Sequence, residues 1–337
     1  MMVRMASMNA SSPLRIGVIG AARIAPMALV RPAREVPEVE VVAVAAREPA
    51  RARKFASRHR IPRVHDDYAA LIADPGIDAV YNPLPNSLHC DWTIRALEAG
   101  KHVLCEKPLA SNTEEAQRMD EAARKAGREL VEAFHWRYHP LAERMKEIVE
   151  SGALGAVRHI EAHMCMPFPL PGDIRFRYDL AGGATMDMGC YTICVMRHLA
   201  GAEPEVVRAE AALSSPQVDR AMKADFRFAD GRTGHIHCSL LSSALFRLRA
   251  IVKGDAGELN VFNPIVPHLF HRLTLRTAAG KQIEKIPGDA TYTCQLRAFA
   301  EHVRGGKRMP TDAAHGIANM RVVDAVYDAA GLARRGT

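Results

Sequence analysis

No CxxC pair occurs among the seven cysteines (Cys90, Cys105, Cys165, Cys190, Cys194, Cys238 and Cys294), and an odd number cannot all pair within one chain. Reduced thiols in a cytoplasmic protein fit this usage best. There is no apolar run of about 18 residues, and the polar, Met- and Ser-rich stretch 1–13 lacks an apolar h-region. Neither a membrane span nor a standard export signal is expected. There is also no basic stripe with interleaved aromatics. The 45 Lys and Arg exceed the 38 Asp and Glu by only seven, and the two signs alternate along most segments, which argues against a nucleic-acid partner. No internal repeat or low-complexity linker interrupts the chain. What remains is an ordinary globular composition: 48% hydrophobic and 25% charged over 337 residues, enough for about two domains.

The stretches 14–20, 39–46, 77–82, 101–105 and 129–134 read as strands buried on both faces, with helical patterns between them. Such strands form a parallel sheet, because each crossover lays a helix over one face or the other. The helix after Lys107 carries a start signal, Ser111 followed by Glu114 as a capping box, and ends at Gly127. After about residue 135, beyond a helix at 141–151, the period becomes two. Met222, Ala224, Phe226 and Phe228 alternate with Lys223, Asp225 and Arg227, while Asp230-Gly231 and Ala279-Gly280 read as hairpin turns. Helices at 293–304 and 311–330 close the chain. The expectation is an α/β protein with a doubly wound dinucleotide-binding domain at 14–134. A substrate-binding and oligomerisation domain, rich in antiparallel hairpins, follows at 135–337.

The first strand runs into Gly20-Ala21-Ala22-Arg23-Ile24-Ala25, where a dinucleotide fold carries GxGxxG. Only the first glycine is present. A pyrophosphate needs a tight turn, free backbone amides and a helix N-terminus, and alanine serves at the later positions if the dihedrals allow it. Gly20, Ala22, Arg23 and Ile24 are therefore candidate cofactor contacts; the alternative is an ordinary strand-to-helix turn. The second strand ends at Ala46-Arg47, where a carboxylate would hold the ribose of NAD. A guanidinium pairs instead with a 2′-phosphate, which favours NADP and, with Glu48 adjacent, leaves NAD possible.

Three further motifs occur in order: Asn82-Pro83-Leu84-Pro85-Asn86-Ser87-Leu88-His89; Ala99-Gly100-Lys101-His102-Val103-Leu104-Cys105-Glu106-Lys107-Pro108; and Met186-Asp187-Met188-Gly189-Cys190-Tyr191. Together they resemble the Gfo/Idh/MocA oxidoreductase family over nearly the whole chain. The resemblance implies an N-terminal Rossmann domain, a C-terminal α+β domain with a large, mostly antiparallel sheet, and nicotinamide-dependent oxidation or reduction of sugars and related polyols. It also places Pro83, Asn86, His89 and Glu106 along the cofactor and makes the Lys107-Pro108 peptide cis. His135-Trp136-Arg137-Tyr138-His139-Pro140 resembles the family's YRxHP segment, with Arg137 expected near the nicotinamide carboxamide. Many members carry His where this chain has Tyr191; the Tyr form resembles the branch of glucose-fructose oxidoreductase, dimeric dihydrodiol dehydrogenase and NADP-dependent xylose dehydrogenase.

The residue chemistry agrees. Lys107 follows a parallel strand, outside the carboxyl edge where open α/β sheets bind ligands, and its ammonium can stabilise alkoxide character on a substrate oxygen. Asp187 and Tyr191 are four apart on a helical pattern, so they share a face. The Tyr191 hydroxyl can carry a proton, and a neighbouring Lys107 is expected to lower its pKa. Arg175, in a Pro- and Gly-rich loop, is a candidate grip on substrate hydroxyls. No metal site is expected, since His135 and His139 lack further ligands at suitable spacing. A homodimer or homotetramer through the C-terminal sheet is expected from apolar residues on both faces of 234–261, a pairing common in the family. Two other functions share the fold: a glycosidase using tightly held NAD, and a non-catalytic cofactor sensor.

Overall fold

The computed structural model describes residues 12–167, 172–242 and 246–336; the stretch 1–11 and part of the loop before Arg175 lie outside them. Six parallel strands form the first sheet: β1 (Leu14–Ile19), β2 (Val39–Ala45), β3 (Arg63–His65), β4 (Ala79–Asn82), β5 (His102–Cys105) and β6 (Leu130–Glu132). Their order is β3-β2-β1-β4-β5-β6. The order reverses between β1 and β4, and such a switch point opens a crevice at the carboxyl edge. Helices α1 (Pro49–His59), α2 (Tyr68–Ala73), α3 (His89–Glu98) and α4 (Thr113–Ala126) are the crossovers. The apolar runs are strands because both faces are covered; all four residues of β4 are buried.

Two local expectations shift. The cap of α4 is Asn112, whose side chain accepts from the Glu115 amide at 2.9 Å, while the Glu115 carboxylate accepts from the Ser111 amide at 2.8 Å. The reciprocal pair therefore lies one residue later than Ser111 and Glu114. After β1 there is no regular helix but a π-type turn at Pro26–Val30 and a 3-10 turn at Pro32–Arg34. Pro26 and Pro32 lack the N–H that a continuous helix would use.

Helix α5 (Pro140–Glu150) leads into the second sheet, made of β7 (Val157–Cys165), β8 (Glu205–Ser215), β9 (Val218–Arg227), β10 (Thr233–Ser239), β11 (Arg247–Gly254), β12 (Gly257–Phe262), β13 (Arg272–Thr277) and β14 (Gly280–Glu284). The order is β14-β13-β12-β11-β7-β10-β9-β8, antiparallel except for β7 with β10. One face, with Ile160, Ala162, Ile236, Cys238, Ala250 and Val252, is buried in one core with α6 (Cys190–Ala200). The opposite face is polar: Lys253 donates to Glu161 at 2.6 Å, and His235 lies 2.7 Å from Asp225. Ile251, which pairs with Glu161, and Phe262, which pairs with Arg249, are apolar residues on this same face, so the expectation of apolar residues on both faces holds at a few positions in a mostly polar surface. Cys238 and Ile236 alternate with His235 and His237, so one face takes the apolar set and the other the histidines.

Helices α7 (Thr291–Val303) and α8 (Ala313–Ala329) close the chain. Although far along the sequence, α7 packs on the first sheet's layer, where Leu296, Phe299 and Ala300 join Leu14, Val18, Leu29 and Val44 in one core. α7 thus contributes to the first core although it lies beyond residue 135 in the sequence. No helix of the described residues is long and apolar enough to cross a membrane.

The two layers are also joined electrostatically. His315 Nδ1 at the start of α8 lies 3.5 Å from the buried Glu132 of β6, and its Nε2 lies 3.6 Å from Cys194 Sγ of α6. Burial alone would push the imidazole down; Cys194 and Glu132 outweigh it and raise its pKa to about 9. A raised folded-state pKa contributes stability that is complete below the unfolded value near 6.5 and is lost as pH rises through about 9. We expect thermal stability to fall between pH 7 and 9.5, by on the order of 2 kcal/mol, and His315→Gln to flatten that slope. Identical slopes in melting curves of the two proteins would refute the assignment.

Candidate active site

The crevice begins at Gly20, which has φ +112°; a Cβ there would meet Leu84 Cδ2 at 3.0 Å. Glycine is required at this position, whereas Ala22 and Ala25 do not have positive φ. Among the described residues, the amides of Ala22, Arg23 and Ile24 donate to no carbonyl or side chain. The turn thus keeps the free donors a pyrophosphate requires, though without a regular helix behind it. Arg47, at the end of β2, is 84% exposed, with Glu48 4.0 Å away. A phosphate on the ribose could reach its guanidinium from solvent. These residues fit a dinucleotide.

The Asn82 to His89 motif follows β4. Pro83 is buried, and Asn86 Nδ2 donates to Ala181 O at 3.0 Å, tying the motif to the second half of the chain. His89 differs from its expected role. Its ring is wholly buried, with Nδ1 2.9 Å from Pro108 O and Nε2 2.8 Å from Leu84 O. Each ring nitrogen faces a backbone carbonyl, and the one that carries the proton of the neutral ring donates to it, so His89 sits between the two motif loops with its polar atoms turned to the backbone.

Lys107 follows β5, and the Lys107-Pro108 peptide is cis. Its Nζ donates to Asp187 Oδ1 at 2.9 Å and Asp187 O at 3.0 Å, and lies 5.0 Å from the centre of the Tyr191 ring. An ammonium has three N–H groups, and among the described residues the third has no oxygen partner. Burial would lower the Lys107 pKa, but Asp187, Cys190 and Glu106 outweigh it, so the ammonium is held charged. In the same way burial would raise the Asp187 carboxyl, and Lys107 with Arg175 brings it down. Behind Lys107, Glu106 is pushed up by burial while accepting from Tyr81 OH at 2.6 Å.

Asp187 lies in a π-type turn at Thr185–Gly189 that runs directly into α6, where Tyr191 is the second residue. The structure brings Lys107, Asp187 and Tyr191 together, but the expected lowering of the Tyr191 pKa does not occur. Burial raises it well above the ordinary value, and Tyr292, Glu106, Cys190 and Asp187 raise it further. Lys107 faces the ring and spends its hydrogen bonds on Asp187, so it does not compensate. The Tyr191 hydroxyl is instead 3.2 Å from His135 Nε2, a contact the sequence spacing did not suggest.

Arg175 is not a free loop arginine. Its Nε donates to Asp187 Oδ2 at 2.7 Å and its Nη1 to Asp173 Oδ1 at 3.0 Å, while Asp173 Oδ2 accepts from Arg23 at 3.1 Å. An ionic chain therefore runs from the dinucleotide turn to Lys107. Arg137 points elsewhere: Nη1 is 3.0 Å from His198 Nε2, nearly two turns along α6 from Tyr191. Its guanidinium packs on Trp136 at 5.5 Å from the ring centre, a contact the expected place beside the nicotinamide did not include.

A doubly wound dinucleotide fold joined to a large antiparallel sheet, with a charged lysine and a phenol at the switch-point crevice, defines a nicotinamide-type oxidoreductase. Residues 14–134 match the oxidoreductase family with an NAD-binding Rossmann fold, residues 142–260 match the GFO/IDH/MocA C-terminal domain, and the chain belongs to this family. It is 34% identical to D-xylose 1-dehydrogenase (NADP(+)) 2 of Haloferax volcanii, over 94% of this chain and 97% of that protein. It is 31% identical to dTDP-3,4-didehydro-2,6-dideoxy-alpha-D-glucose 3-reductase of Saccharopolyspora spinosa, over 96% of this chain and 98% of that protein. Among solved structures, a 3-ketoreductase from Actinomadura kijaniata in complex with NADP and TDP-benzene superposes with a TM-score of 0.87 at 29% identity, covering 94% of this chain and 98% of that one.

Proposed function

We propose that the protein is an NADP-dependent oxidoreductase that interconverts a hydroxyl and a carbonyl on a sugar or a sugar-like polyol. The observation that carries this reading is the Lys107 ammonium, held charged by Asp187 with one N–H left for a substrate oxygen and facing the Tyr191 ring at 5.0 Å from its centre. The relatives supply the substrate class and the phosphorylated cofactor. Bound NADP supplies the acceptor or donor of the hydride. Gly20, Ala22, Arg23 and Ile24 would hold its pyrophosphate and Arg47 its 2′-phosphate. The chain's own residues do the rest. Lys107 stabilises negative charge on the reacting oxygen, Asp187 aims the ammonium, and Tyr191 moves the proton.

The test combines cofactor and substrate. A panel of aldoses, inositols, dihydrodiols and dicarbonyls, read at the NADPH absorbance band, should give activity with at least one sugar. Arg47→Asp should weaken NADP by about ten- to a hundredfold and improve NAD, since it removes the phosphate partner and adds a ribose acceptor. An unchanged ratio of the two dissociation constants would show that Arg47 does not face the ribose.

A further inference from the structure

Asp173 joins the two halves of the chain. Its side chain is 1% exposed, and each carboxylate oxygen has a cationic partner. Oδ2 accepts from Arg23 Nη2 at 3.1 Å, and Oδ1 accepts from Arg175 Nη1 at 3.0 Å and from the Arg175 amide at 3.1 Å. Arg23 belongs to the turn after β1, 150 residues away in sequence. The backbone that carries Arg175 is itself fixed. Gly182 N donates to Arg177 O at 2.9 Å, and Gly182 O accepts from the buried Arg335 at 2.7 Å. A Cβ at Gly182 would lie 2.7 Å from the carbonyl oxygens of Ile174, Arg175 and Arg177, so this close approach requires glycine.

Asp187 serves a different cation with each oxygen: Oδ2 accepts from Arg175 Nε at 2.7 Å and Oδ1 from Lys107 Nζ at 2.9 Å. The last torsion of an aspartate has a broad minimum, so only its partners fix the carboxylate plane. With Arg175 off Oδ2, the carboxylate could turn both oxygens toward Lys107 and engage the N–H that a substrate oxygen needs. We propose that Asp173 is a positioning residue: it holds Arg175 on Asp187 Oδ2 and so keeps the third N–H of Lys107 for substrate, while Arg23 secures Asp173 from the dinucleotide turn. The proposal rests on Lys107 being the group that meets the substrate oxygen.

The two partners of Asp173 are unequal. The Arg23 side chain is 79% exposed, and an ion pair with so exposed a partner contributes little by itself. Arg175 instead makes two bonds to Asp173 and one to Asp187, so removing the Asp173 charge acts mainly on Arg175. The consequence for Asp187 has a definite sign. Burial would raise its carboxyl, and Lys107 followed by Arg175 brings it down. A loosened Arg175 lets burial push the carboxyl back up, and the ionised form that aims Lys107 is then lost at a higher pH.

The experiment compares Asp173→Asn, Arg23→Gln, the double variant and Lys107→Ala at saturating NADP from pH 4 to 8, using the most active sugar of the panel. NADP titration and melting curves accompany the kinetics. Asparagine keeps the shape and an acceptor for the Arg175 amide but removes the charge. Asp173→Asn should lower kcat/KM about tenfold at pH 7, with NADP affinity within about threefold, and its acid limb should lie about one pH unit above the wild-type limb. Arg23→Gln should change both in the same direction by less, about threefold in kcat/KM, and the double variant should match Asp173→Asn. A folded Asp173→Asn enzyme with the wild-type acid limb, or losses that add in full in the double variant, would overturn the proposal while Lys107→Ala remained impaired. If Asp173→Asn does not fold, Arg23→Gln decides alone, because it alters only an exposed side chain: wild-type kcat/KM and a wild-type limb there would overturn the proposal. Full activity in Lys107→Ala would overturn it together with the reading of Lys107 on which it rests.

Discussion

Lys107→Ala should lower kcat by about 10³-fold or more while leaving NADP affinity within about threefold. The ammonium lies at the carboxyl edge after β5, held by two hydrogen bonds to Asp187, and it is the only cation among the described residues seen to face both Asp187 Oδ1 and the Tyr191 ring. As an alcohol is oxidised, its oxygen carries growing negative charge, and a preorganised N–H aimed at it acts mainly on the transition state. Affinity for the cofactor resides elsewhere. Arg47 follows β2 and Gly20 follows β1, whereas Lys107 follows β5; in the order β2-β1-β4-β5 the outer pair are three strand spacings apart, about 14 Å. Truncating the lysine cannot release contacts made at the far end. The measurement is kcat and KM at the NADPH absorbance band beside a fluorescence titration of NADP. A tenfold loss of kcat, or a matching loss of cofactor affinity, would move Lys107 out of the reacting centre.

How far the sequence carried the structure differs from element to element. The parallel strands were legible because runs such as Ala79–Asn82 are buried on both faces, and such burial writes itself as an uninterrupted apolar text. β3 was not, since Arg63–His65 is three residues long and half-exposed. The cap of α4 was ambiguous for a simple reason: Ser111 and Asn112 are both good caps, and Glu114 and Glu115 stand three residues after each. Lys107, Asp187 and Tyr191 were readable from motif and spacing, because strand edge and helix face place them. Their energetics were not. The Tyr191 pKa depends on how many groups exclude water from it, and these come from distant parts of the chain. His135 is separated by 56 residues from Tyr191 and 156 from Thr291, so no local pattern joins the three. The return of α7 to the first core is of the same kind: its own apolar stripe shows that it packs, not on what.

Tyr191→Phe should lose about 10² to 10⁴ in kcat, with NADP binding unchanged. The substitution keeps the ring, which Phe134 meets edge-on at 5.2 Å, so no cavity opens and only one oxygen is removed. Folding should survive at a cost of about 1–2 kcal/mol, because His135 Nε2 is left buried without its partner. What disappears is the path for the proton. Lys107 still stabilises charge on the substrate oxygen, but its own pKa is raised by Asp187, Cys190 and Glu106 against burial, so it is a poor base near neutrality and cannot take the phenol's place. The residual rate in Tyr191→Phe should therefore climb with pH as hydroxide takes over proton removal, and a melting curve should separate this loss from misfolding. If the variant instead keeps full activity and gains a pH limb, the proton carrier is another group. Lys107 would then be the candidate, which would require the bound ternary complex to weaken the Asp187 contact that now holds the ammonium charged.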